Sequence, residues 1–173
     1  LYSLTVEEGT VLHRRIADGT VRPNPPSVDE ELWLAAKTVL DDAGYQNYEI
    51  SNFALPGREC RHNLGYWRLE PYLGFGPGAV STLPVHAART VLGSPSVGEG
   101  AAAVRLTCPK NIDSFLRGEG TLWGTDVEAI SGSQFLLETF MMGLRTRDGI
   151  GAADLVVRFG RTFEELFPGL REA

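Results

Sequence analysis

The sequence predicts an α/β fold in which the last strands of a partial α/β barrel are followed by a mostly helical C-terminal lobe. Two observations carry the first half. Apolar segments suited to strands stand at Leu1–Leu4 and Tyr45–Ser51, and a long amphipathic helical pattern lies between them. Strand, helix, strand implies a parallel pair joined by a crossover. The third observation is a change of character after Ser81, beyond which helical patterns build a second lobe from about Ala103 onward. On this reading residues 1–82 hold the barrel strands, 83–102 form a connection, and 103–173 form an incomplete helical domain.

Each element has a local reason. Thr10 is a candidate N-cap for a short helix ending at Gly19. Val21–Pro26, with three prolines, is a linker. Ser27 and Glu30 have the spacing of a capping box, and Val28, Leu32, Ala35, Ala36, Val39, Leu40 and Ala43 recur at helical spacing until Gly44 closes the helix. Pro56-Gly57 then turns the chain. Pro84–Gly100, rich in Gly, Pro, Ala and Ser, reads as a loop or a wide hairpin connection. Ala103–Cys108 is a candidate strand, and Asn111–Arg117 a short helix closed by Gly118. Ser131 and Gln134 open a strongly apolar helix through Phe135, Leu136, Phe140, Met141 and Leu144, and two short helices follow at Ala152–Phe159 and Phe163–Phe167.

Composition narrows the functional classes. With 43% hydrophobic residues in 173, the chain has enough apolar surface for a substantial core. Sixteen basic against twenty-two acidic residues give a net charge of -6, which offers no sequence-wide field for nucleic acid or an anionic membrane. No apolar run reaches spanning length. Two cysteines make no disulfide framework and favour a reducing, cytoplasmic setting.

The densest chemistry lies between Glu49 and Ser81. Cys60, Arg61, His62, Asn63, Tyr66 and Trp67 form a polar and aromatic cluster, followed by the glycine-rich bend Gly74-Phe75-Gly76-Pro77-Gly78. If the cluster is helical, His62 and Tyr66 lie one turn apart on one side. A neutral imidazole is a common axial ligand for haem iron, and tyrosine and tryptophan rings can cover a porphyrin face. A histidine that is simply hydrogen-bonded at a turn, with Trp67 in the core, fits the residues as well. Cys60 and His62 do not make a structural zinc site, because no further ligand stands at a suitable spacing. Glycine lets backbone approach a ligand closely, so the bend is either a small-molecule wall or a tight turn. It is no phosphate loop, since no Gly-Lys-Ser/Thr follows.

The motif His62-Asn63-Leu64-Gly65-Tyr66-Trp67, preceded by Tyr48-Glu49-Ile50-Ser51-Asn52-Phe53-Ala54-Leu55-Pro56-Gly57, resembles the oxygen-independent coproporphyrinogen III oxidase-like family of radical S-adenosylmethionine (SAM) proteins, in its haem-chaperone branch. LYSLTVEEGT at Leu1–Thr10 and FMMGLRTRDGI at Phe140–Ile150 fit as well. The resemblance implies haem binding by His62, Asn63, Tyr66 and Trp67, with His62 on the iron. It implies SAM contact by Leu4, Gly76 and Val80, and delivery of haem to acceptor apoproteins. It also implies a 4Fe-4S cluster held by a Cys-x3-Cys-x2-Cys motif, which this sequence does not contain, so the chain is expected to be a C-terminal part of a longer protein. The alternative implied activity is oxidative decarboxylation of coproporphyrinogen III. One departure stands out: the chaperone branch reads Gly-Ala-His-Ser where this chain has Gly78-Ala79-Val80-Ser81.

Radical cleavage of SAM needs an electron from a cluster with one open iron, and cluster irons are normally held by thiolates. Cys60 and Cys108 supply two thiolates at most. Anaerobic reconstitution of the chain with iron, sulfide and dithionite is therefore expected to yield no stable 4Fe-4S signal and no 5′-deoxyadenosine. Formation of either would overturn this reading.

Overall fold

The structure, a computed structural model, describes residues 1–94, 97–118 and 126–170. Its elements fall into two units, Leu1–Cys60 and Arg61–Ala173. Both helices of the first unit start and stop on the residues that local chemistry favours. Helix α1 (Val11–Ala17) is capped by Thr10, whose side-chain oxygen accepts from the His13 N–H at 3.1 Å. Helix α2 (Pro26–Asp42) begins on a proline, where the missing N–H costs nothing. Pro25 and Pro26 have thus already started the helix when the chain reaches Ser27. For that reason the expected Ser27–Glu30 capping box does not form, and the cap carries no side-chain bond. Gly44, at φ +82°, follows the helix.

The expected second strand contracts to β1 (Gln46–Asn47), which pairs antiparallel with β2 (Phe53–Ala54) in the register Gln46 to Ala54 and Asn47 to Phe53. The Asn47 side-chain amide donates to the carbonyls of Glu49 and Asn52, so the intervening turn folds on itself. Leu1–Leu4 is not a strand. Its amino terminus donates to the Ser51 carbonyl, and the Tyr2 hydroxyl accepts from the Asn52 amide at 3.2 Å, which are isolated bonds rather than a ladder. The parallel pair expected of these two segments is therefore not formed. Every strand ladder among the described residues is antiparallel, and those residues close no barrel. Mixed α/β is the architecture that holds.

The second unit is built on a three-stranded meander of β3 (Val80–Pro84), β4 (Ala103–Thr107) and β5 (Asp126–Ile130). Two of these strands were not foreseen. The 83–102 segment is the connection between β3 and β4, but it also holds helix α4 (Val85–Leu92), ended by Gly93 in the left-handed region. Helix α4 packs on the sheet, and Leu83, Ala88, Val104 and Leu106 form the core, with Val85, Val91 and Leu92 against it. Because side chains alternate along a strand, Arg105 faces the opposite side. There it meets Glu128, its cross-strand partner, at 3.2 Å, and Glu138 at 2.7 Å. Beyond β4, helix α5 (Ile112–Arg117) is capped by Asn111 and closed by Gly118 as the sequence predicts.

The remaining helices follow their caps. Helix α6 (Gly132–Gly143) has a complete capping box of Ser131 and Gln134. Helix α7 (Ala152–Phe159) ends at Gly160, and α8 (Phe163–Leu166) has a second capping box from Thr162 and Glu165. Aromatic rings join them: Phe140 meets Phe167 edge to face at 5.0 Å, and Phe135 lies 5.9 Å from Phe159.

Leu106 is 1% exposed and Val127, on the neighbouring strand, is 42% exposed. Leu106→Ala is expected to cost about 2–5 kcal/mol, whereas Val127→Ala is expected to stay within about 1 kcal/mol. Urea denaturation with an unchanged slope would measure both.

Candidate functional site

The site grows from helix α3 (Arg61–Trp67) and the way that helix ends. The chain enters it after a turn in which the Arg58 N–H donates to the Leu55 carbonyl at 2.9 Å and Gly57 sits at φ +74°. At the far end the Leu69 N–H donates to Tyr66 at 3.1 Å and the Glu70 N–H to Gly65 at 2.9 Å. This pair of bonds is a Schellman closure, whose pivot residue is usually glycine. Here the pivot is Leu69, at φ +51°, the one non-glycine residue with positive φ among the described residues. The reversal brings Tyr72 back beside the helix.

The result is a ladder of three rings. His62 and Tyr66 meet edge to face at 4.7 Å, and Tyr66 meets Tyr72 in the same way at 4.6 Å. His62 is exposed and Tyr66 is 36% exposed. The rings border a cleft of about 170 Å³ lined also by Arg61, Gly65, Glu70 and Pro71. Tyr66 and Tyr72 line a second cleft as well, of about 250 Å³, together with Leu69, Thr82, Arg105, Glu138, Met141 and Met142. Glu138, more than any other group, holds the Arg105 guanidinium above its ordinary pKa range, and the charges of Glu138 and Glu128 act in the same direction.

Trp67 points to a different environment. It lines a narrow cleft with Thr139, Gly143, Thr146 and Ile150, and the Arg145 guanidinium lies 6.0 Å from its ring centre. Its Nε1–H is buried without a protein partner. Of the four expected haem residues, then, His62 and Tyr66 stack together, while Trp67 lines the narrow cleft beside α6. Asn63 is half-buried and engaged in contacts of its own.

The glycine bend forms a loop closed at its neck. Tyr72 and Thr82 exchange backbone bonds of 3.0 and 3.1 Å, and the Gly74 N–H donates to the Ser81 hydroxyl at 3.0 Å. A Cβ on Gly74 would stand 2.3 Å from the Val80 carbonyl oxygen, so this glycine serves the fold. Gly76, at φ +112°, has open space where its Cβ would be. Val80 is half-buried at the start of β3, and Leu4, in the first unit, is 76% exposed. Tyr72, Glu70 and the Met141–Met142 pair were not among the expected site residues. Tyr72 arrives through the Leu69 reversal, which no glycine announces, and the methionines arrive on α6.

Cys60 is exposed and Cys108 is buried. Among the described residues no group of three His, Cys, Asp or Glu is placed to hold a metal ion. Among the described residues no helix is long and apolar enough to cross a membrane.

Comparison with known proteins shows what the chain resembles. Residues 130–173 match the HemN C-terminal domain. Over 98% of its length the chain is 29% identical to the heme chaperone HemW of Bacillus subtilis, of which it covers 41%. It is 34% identical over 87% of its length to radical S-adenosyl methionine domain-containing protein 1, mitochondrial, of Danio rerio, covering 32% of that protein. The mouse protein of that name is 46% identical over 46% of this chain and 18% of its own. The chain is thus similar over nearly its whole length to proteins named heme chaperone HemW, and its last residues match the HemN C-terminal domain. It spans about two fifths or less of the length of these relatives. No solved structure matches it significantly.

Gly74→Ala is expected to destabilise the second unit by about 1–3 kcal/mol, because the obstructing atom is backbone and cannot swing aside. Thermal or urea unfolding measures the loss.

Proposed function

We propose that the chain is the haem-holding part of a haem chaperone, with His62 on the iron and Tyr66 beside the porphyrin. The observation that carries this reading is the exposed His62 ring stacked on Tyr66 at the mouth of a cleft. An imidazole held by an edge-to-face neighbour is oriented, and His62 remains exposed enough to meet a ligand. The residues therefore fit an axial ligand. The His62 cleft falls below the roughly 300–1,000 Å³ of pockets that engulf small ligands. A partly exposed haem suits a carrier that passes its cargo to acceptor apoproteins. Asn63 and Trp67 then act behind the ligand, Trp67 by fixing α3 on the side away from His62. The names of the relatives, heme chaperone HemW among them, support the same reading.

The residues present do not fit a 4Fe-4S cluster, since one of the two cysteines is exposed and the other buried. A cluster and SAM belong in this proposal to the full-length protein, the cluster being held by segments outside this chain. Gly76, with its open side, and Val80 would border SAM there. Val80, in place of the branch's histidine, favours a second reading, a coproporphyrinogen III oxidase; conversion of coproporphyrinogen III with release of carbon dioxide by the full-length protein would establish it.

Titration of the chain with ferric haem is expected to give a Soret band whose position and midpoint change in His62→Ala, with binding weakened about tenfold or more, as for loss of an interaction of about 1.4 kcal/mol. An unchanged spectrum and affinity would remove His62 from the site.

A further inference from the structure

We infer that the haem seat extends past Tyr66 and Tyr72 into the cleft lined by Leu69, Met141 and Met142, which takes the apolar edge of the macrocycle. This rests on the haem reading above and assigns a second half to that site. The His62 cleft and its neighbour each fall below the roughly 300 Å³ at which ligand pockets begin, and together they fall within that range. They are neighbours with a common wall, because the same two tyrosine rings line both. Tyr66 stands at the centre of the ladder, touching His62 on one side and Tyr72 on the other.

The chemistry of the second cleft suits an apolar, polarisable ring. Thioethers are flexible and pack well against aromatic faces and edges, and two stand side by side here, Met141 being 47% exposed. Leu69 adds a third apolar wall and owes its place to the Schellman reversal. The charged members of the cleft do not oppose this. Glu138 is held at 2.7 Å by Arg105, so it presents a compensated pair instead of a bare carboxylate. Met141 and Met142 come from α6, so the seat would join α3 and the β3–β4 sheet to the part of the chain that matches the HemN C-terminal domain.

The sequence contains two methionines, so a sample with ¹³C-methyl-labelled methionine gives two methyl signals. Diamagnetic zinc protoporphyrin added to the labelled chain is expected to move both by its ring current. Met141→Glu, which sets a charge against the macrocycle, is expected to weaken ferric haem binding about tenfold or more. Methyl signals that stay in place at saturating zinc protoporphyrin would overturn the inference without any variant having to fold. Unchanged haem affinity in a folded Met141→Glu protein would do the same. If His62→Ala still abolishes binding in either case, the haem reading stands and only this second half of the seat falls. If His62→Ala leaves haem binding untouched, the haem reading falls first.

Discussion

Strand β4 must satisfy two different neighbours at once, and the rest of the second unit is arranged around that requirement. Val104 and Leu106 point to α4 and are almost wholly buried. Arg105, between them, points the other way and carries a charge into a half-buried setting. An unpaired guanidinium there would be costly, and Glu138 from α6 compensates it. The pair thereby fixes where α6 crosses the sheet. Once α6 is fixed, so are Met141 and Met142 and the floor on which Trp67 rests.

The second organising feature is the packing of α6 against its own continuation. Gly143 leaves room that Ile150 fills: a Cβ there would stand 2.3 Å from the Ile150 Cγ1. The chain can therefore turn tightly after α6 through the Thr146–Gly149 bend, where the Gly149 N–H donates to the Thr146 carbonyl at 3.2 Å. Arg147 and Asp148 in that bend lie 3.6 Å apart, and Asp148 is also 3.6 Å from Arg68, just after α3. Both partners of the second pair are more than half exposed, so it contributes little energy and serves mainly to bias orientation. The stretch after α6 is thus partly solvated and partly a neighbour of α3.

Much of this was legible in the sequence because it is written locally. The box at Ser131 and the glycines at 118 and 160 mark their helix ends by direct hydrogen bonding or backbone handedness. The one-turn spacing of His62 and Tyr66 likewise placed both rings on one side of a helix. What escaped is set by partners distant in sequence. Strand β5 has four exposed residues and one buried, so it lacks the alternation that would betray it, and its conformation comes from pairing with β4. Helix α4 is only eight residues long and lies within a stretch rich in turn-forming residues. The first strand failed for the opposite reason: Leu1–Leu4 has the right composition, but the turn after Asn47 uses its polar groups locally and leaves no ladder to join. Tyr72 reaches His62's neighbourhood through a reversal at a leucine, a residue that ordinarily signals nothing of the kind, and the methionines come from α6, far along the chain.

That leucine has a kinetic meaning. Left-handed backbone at a residue with a Cβ is disfavoured by about 1–2 kcal/mol, a tension that the closing bonds from Glu70 to Gly65 and from Leu69 to Tyr66 must hold. The last turn of α3 is therefore where the helix yields most readily, and amide hydrogens there exchange with solvent ahead of those in β4. Tyr66 lies in that turn while Tyr72 is tied to Thr82 by two backbone bonds, so the two rings that divide the clefts are held with unequal firmness.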